Sequence, residues 1–118
     1  MKKIIYLFLI FGCIFTACDK EGDPIVTPGE CDNTNYTYTS DTKAIFDGSC
    51  AISGCHDAAT KSGGNDLTTY AGVIAAGTGR IVKAIEHTGP IPMPYLQPKL
   101  PEATIAKIRC WVSKGSPE

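Results

Sequence analysis

The sequence predicts a small all-α domain, and three observations predict it. Apolar residues recur at helical spacing in four separate stretches, with Ile45, Leu67, Ile81 and Ile105 near their starts. No segment shows the period-two alternation of a half-buried strand. Glycine and proline clusters punctuate the chain between those stretches, as short helices joined by loops require. The 118 residues suffice for one small domain.

Ser40 or Asp41 is placed to cap a first helix, on which Thr42, Ile45, Phe46 and Ser49 share a face. This helix runs directly into Cys50. A loop containing Gly63, Gly64 and Asn65 follows, and then Leu67, Tyr70 and Ile74 keep helical spacing. Gly77 and Gly79 interrupt, and Ile81, Val82 and Ile85 indicate another short helix. Pro101 opens a last helix that reaches about Lys114 and is closed by Gly115. Its apolar stripe is Ile105, Ile108, Trp111 and Val112, and Phe46 and Trp111 are expected to meet where the first and last helices cross.

Ahead of this domain, Lys2 and Lys3 precede an apolar run from Ile4 to Ala17 that ends at Cys18. This is the layout of a secretory signal, and the run is short for a bilayer-spanning helix, which needs ~20 residues. Phe15-Thr16-Ala17-Cys18 resembles a lipobox, with Phe15 where leucine is usual. The organisation expected is a lipoprotein signal peptide over residues 1–17, a lipidated Cys18 with a flexible tether over 18–40, and a folded domain over 41–118. The chain is therefore expected to be exported, to the periplasm or the cell surface, and anchored to a membrane by its lipid. Without Lys2 and Lys3, nine of the 11 Lys and Arg remain against 12 Asp and Glu, a balance that suggests no nucleic-acid surface.

Of the six cysteines, Cys13 leaves with the signal and Cys18 takes the lipid. The stretch Cys50-Ala51-Ile52-Ser53-Gly54-Cys55-His56 has the elements of a covalent haem attachment: two thiols to add to the porphyrin edge and a histidine to reach the iron. Its spacer is four residues where two are usual, and a disulfide or a zinc cluster competes on spacing alone. Met93, set in Pro92-Met93-Pro94, is the only methionine besides Met1. Its proline flanks form a stiff mount for a thioether sulfur, fit for the sixth iron position, whereas a methionine that merely fills a core gap needs no such mount. His87 is the rival for that position. Cys110 falls nearly opposite Ile108 and Val112, away from the core stripe, so a covalent partner is expected for it, and Cys31 is the cysteine left over. A Cys31–Cys110 disulfide would pin the incoming tether across the last helix.

From about Asp41 to Gly115 these features resemble a class I c-type cytochrome domain, similar to single-haem domains in bacterial lipoproteins with the wider cysteine spacing. The resemblance implies a helical domain wrapped around one covalently bound haem c. Cys50 and Cys55 would carry the thioethers, with His56 and Met93 as the iron ligands. It implies electron transfer rather than catalysis, with redox partner proteins that present a basic docking patch to this mildly acidic chain. Tyr70 and Arg80 are candidates near the propionates, each with a structural role as the simpler reading. Two other functions compete. One is a haem enzyme with an open distal site, reducing peroxide. The other is a haem-free surface-binding lipoprotein in which Cys31–Cys110 and Cys50–Cys55 are disulfides.

Overall fold

The computed structural model describes residues 30–118. The signal segment, Cys18 and the first part of the tether lie outside the described residues. The folded part is a small all-α bundle: a π turn at Tyr38–Thr42, then α1 (Lys43–Ser49), a 3-10 turn at Ser62–Gly64, α2 (Tyr70–Ala76), α3 (Thr78–Ile85) and α4 (Glu102–Ser113). Among the described residues there is no strand.

The first helical segment starts earlier than its Ser40 and Asp41 signals suggest. Thr37 is the capping residue, its hydroxyl accepting the Ser40 N–H at 3.2 Å. Asp41 reaches back to accept the Thr37 N–H at 2.9 Å, so one side chain caps the Ser40 N–H and the other the Thr37 N–H. This turn carries Tyr38 into the core ahead of α1. Its ring lies 6.1 Å from Phe46, 5.3 Å from Tyr70 and 6.3 Å from Trp111. Phe46 meets Trp111 edge-on at 6.0 Å, the crossing contact the sequence predicts. Phe46 and Trp111 are fully buried, each worth ~1.5–3 kcal/mol in apolar area removed from water. Leu67, Val73, Ile85, Ile105 and Ile108 complete the core around them.

The connections follow from side-chain size and backbone freedom. Thr69 caps α2 by accepting the Gly72 N–H at 3.1 Å. A Cβ at position 72 would overlap the Asp66 carbonyl, so glycine is what lets α2 seat against the loop before it. Gly77, at φ 87°, turns the chain between α2 and α3 in a conformation costly for other residues. Pro101 sits at the cap position of α4, and Gly115, at φ 88°, ends it as expected. The chain then folds back. Trp111 Nε1 donates to the Pro117 carbonyl at 2.8 Å, Tyr70 Oη donates to the Ser116 carbonyl at 2.8 Å, and the Tyr38 N–H donates to Pro117 at 2.9 Å. Tyr70 thus has a structural role.

Cys31 and Cys110 are joined by a disulfide with Cα atoms 5.1 Å apart, and both are buried. Cys110 lies outside the aromatic and aliphatic core cluster, on the flank of α4 where Cys31 covers it. Among the described residues, contacts with the fold therefore reach back to Cys31 and Glu30, within the stretch read from sequence as tether. Tyr36 adds to them, packing against the core with the Lys107 ammonium 5.3 Å from its ring centre.

One buried group escaped the sequence reading. Arg109, next to Cys110, is only 7% exposed. Its Nε donates to Glu86 at 2.7 Å and an Nη to Glu102 at 3.2 Å, with Glu30 at 3.6 Å. Glu86 is itself buried, so the pair ties the end of α3 to the middle of α4 inside the fold.

Candidate functional site

The structure positions the residues of the Cys50-to-His56 stretch through backbone hydrogen bonds. Cys50 caps α1, its N–H donating to the Phe46 carbonyl at 2.9 Å. Gly54, at φ 83°, permits the tight reversal that follows. The Cys55 N–H donates to Ile52 at 3.0 Å, and the His56 N–H returns to the Cys50 carbonyl at 3.1 Å. The loop therefore closes on itself, with both cysteines at its base. Both are free thiols and partly buried. Cys50 packs against the core cluster, and burial, with the neighbouring Cys55 adding to it, pushes its thiol up to about 11.

His56 faces the loop that follows it. Its Nδ1–H donates to the Asn65 carbonyl at 3.3 Å, while its own carbonyl accepts the Leu67 N–H at 2.9 Å. Asp57 organises the turn between them, accepting N–H groups from Gly54 at 2.8 Å, Ala59 at 2.8 Å and Thr60 at 2.7 Å. These bonds, that from Thr60 first, hold its carboxyl below the usual carboxylate range, against the opposing effect of burial.

Met93 is partly buried on the loop between α3 and α4. Its N–H donates to Ala84 at 2.9 Å, and its carbonyl accepts from His87 Nε2 at 3.0 Å. His87, its rival in the sequence reading, thus serves to hold the methionine's backbone. Arg80 is exposed on α3.

These placements correct the haem reading. Among the described residues, no group of three or more His, Cys, Asp and Glu side chains stands where it could hold a metal ion, which also removes the zinc alternative. The residues assigned to haem c and its iron, Cys50, Cys55, His56 and Met93, do not line the concavity of about 220 Å³ beside the 3-10 turn. Lys61, Asn65, Asp66, Gly72 and Ala76 line it instead, and its volume falls below the ~300 Å³ at which ligand pockets begin. The bundle is a small all-α domain and not specifically a cytochrome c-like one, and the electron-carrier function, the cytochrome and iron assignments and the cofactor fall with that reading. Similar residue types in similar order produced the resemblance. The covalent feature found is the Cys31–Cys110 disulfide.

A surface that the sequence reading passed over lies around Met93. Ile91, Tyr95 and Leu96 are 57%, 63% and 84% exposed, three large apolar side chains within six positions. Pro90, Pro92, Pro94 and Pro98 restrict this stretch, and the Met93–Pro94 peptide is cis. The loop is mounted on α3 through Met93, His87 and the Gly89 N–H, which donates to Lys83 at 3.0 Å. Between Leu67 and Pro101 the charged side chains are Arg80, Lys83, Glu86 and Lys99, and Glu86 is engaged by Arg109. The loop is therefore apolar at its tip, with Lys83 packed beside its start at Gly89 and the exposed Lys99 near its end. Its signal was in the sequence, as large apolar residues in a proline frame, where no helix could turn them inward.

Comparison with protein-family models, curated proteins and solved structures gave no match to this chain.

Proposed function

We propose that the chain is a haem-free, disulfide-bonded binding domain, exported and anchored by a lipid on Cys18, that docks a protein partner through the proline-framed loop after α3. Its role in this reading is recognition rather than catalysis. The observation that carries it is the exposure of Ile91, Tyr95 and Leu96 on a loop held by backbone hydrogen bonds. Large apolar side chains kept in water on a stiff mount lose little freedom on binding and gain the burial they lack. Lys83 and Lys99 favour a partner whose apolar recess has an acidic rim, even though the balance of the whole chain points toward a basic one. The buried disulfide supports an oxidising compartment, in keeping with the signal-like N-terminus. No helix among the described residues is long and apolar enough to cross a membrane, so anchoring in this reading falls to the lipid.

Two experiments test this. The purified chain, made in cells with working haem-attachment machinery, is expected to be colourless. Visible absorption that survives acid–acetone extraction would refute the haem-free reading. A photo-reactive side chain placed at Leu96 is then expected to give a discrete adduct in membranes of the source cell. That adduct should weaken with salt and with Ile91→Asp, and should be missing when the probe sits at the exposed Ala44 of α1. The same adducts from both positions, or none from Leu96, would refute docking through this loop.

A further inference from the structure

We propose that Cys50 and Cys55 form a reversible dithiol site that exchanges with small-molecule disulfides, Cys55 attacking first and Cys50 closing the internal bond. The inference rests on the haem-free reading above, because it requires both thiols to be unmodified. The loop geometry carries it. The hydrogen bond from His56 N–H to the Cys50 carbonyl draws the two ends of the stretch together. A disulfide spans Cα atoms ~4.4–6.8 Å apart, and Cys55 already stands near enough to Cys50 to add to the rise of its thiol. Gly54 at φ 83° and the exposed Ser53 supply the slack for the sulfurs to meet, while Phe46 anchors the other end through the Cys50 N–H.

The two thiols are not equivalent. Cys50 packs against the core cluster, whereas Cys55, also partly buried, stands outside it in a turn whose Ile52, Ser53 and Gly54 are exposed. Access therefore selects Cys55 as the attacking sulfur. Its thiolate forms a bond to one sulfur of the incoming disulfide, whose own sulfur–sulfur bond breaks. One small thiolate leaves and takes up the proton that Cys55 gave. Cys50 then loses its proton and attacks the Cys55 sulfur, releasing the second small thiol. The two protein thiols are oxidised to one disulfide, and the small disulfide is reduced to two thiols. The suppressed ionisation of Cys50 agrees with this order, since a buried thiol reacts faster with a sulfur already held beside it than with one in solution.

The test uses the full chain in detergent, with oxidised glutathione as probe, thiol alkylation, and peptide mass mapping. Before treatment, Cys50 and Cys55 are expected to take the alkylating label, and Cys31 and Cys110 are not. After oxidised glutathione, both labels should vanish, with the peptide lighter by two hydrogens and no glutathione retained. Reduction should restore both. Cys50→Ser is expected to trap glutathione on Cys55, and Cys55→Ser to leave Cys50 largely unreacted. Stable glutathione on both wild-type cysteines, or equal trapping in the two variants, would overturn the proposal. So would two labels that persist after treatment. The untreated mass separates that failure from failure of the haem-free reading, because a covalently bound group would make the Cys50–Cys55 peptide heavier than its sequence.

Discussion

Replacing both Cys31 and Cys110 with alanine is expected to cost most of the domain's stability. The double change is the cleaner perturbation, since a single one leaves a buried thiol without its partner. The bridge joins residues separated by 79 positions. Loop-closure entropy for that length corresponds to about 4.5 kcal/mol, withdrawn from the unfolded chain by the cross-link. Small domains have ~5–15 kcal/mol in all, so the variant should lie close to the folding threshold. Its midpoint in thermal unfolding should fall by roughly 20–35 °C. Urea titration followed by tryptophan fluorescence is the discriminating assay, because Trp111 is buried against Phe46 and reports the core. The midpoint should drop, and the slope should rise, because an unbridged unfolded chain exposes more surface. A stability loss under ~1 kcal/mol with an unchanged slope would refute the reasoning. It would mean that the segment from Cys31 to Thr37 is held by Tyr36, Tyr38 and Glu30 without the bridge.

Three further outcomes follow from particular side chains. Arg109→Ala should destabilise by ~3–5 kcal/mol in urea, because it leaves the Glu86 carboxylate buried alone, whereas combining Arg109→Met with Glu86→Gln should recover much of that loss. Thr42 is fully buried with its hydroxyl unpaired, so Thr42→Val should be neutral or stabilising in the same titration, as removal of an unsatisfied group costing ~1–3 kcal/mol would predict. Asp57 has its carboxyl held below the ordinary value of 3.8, so its contribution is complete above that pH and is lost as pH falls through the lower folded value. Acid unfolding should therefore begin as the pH approaches that range, and Asp57→Asn should flatten it.

The helical skeleton was legible because its signals are local. Ile105, Ile108 and Trp111 recur on one face, Pro101 and Gly115 bracket α4, and Gly77 breaks α2 from α3. The disulfide was legible by elimination, and by the off-stripe position of Cys110. The start of the first helical segment was misread because Thr37 and Tyr38 lie in a polar stretch, where a single π turn leaves no period to detect. Arg109 was missed because its partners sit on other elements, although Glu102 lies seven positions earlier on the same face of α4. The haem reading failed at the step from motif to site. Cys50, Cys55, His56 and Met93 were the right residue types in the right order, but order does not make donor groups converge on a metal. Their hydrogen bonds lead elsewhere, from the Cys50 and Met93 backbones to Phe46 and Ala84 and from the His56 ring to Asn65.

The position of the disulfide also decides how the domain would carry mechanical load. In the proposed arrangement, tension from the lipid anchor enters at Cys31, the first residue of the fold with a covalent tie across it. That tie passes the pull straight to Cys110, near the end of α4. A partner pulling at Leu96 would close the load path through 97–110 alone, along the axis of α4 and the short segment before it. The π turn, α1, α2 and α3 would stay outside that path, slack while α4 bears the force. A reduced bridge would place all of them in series.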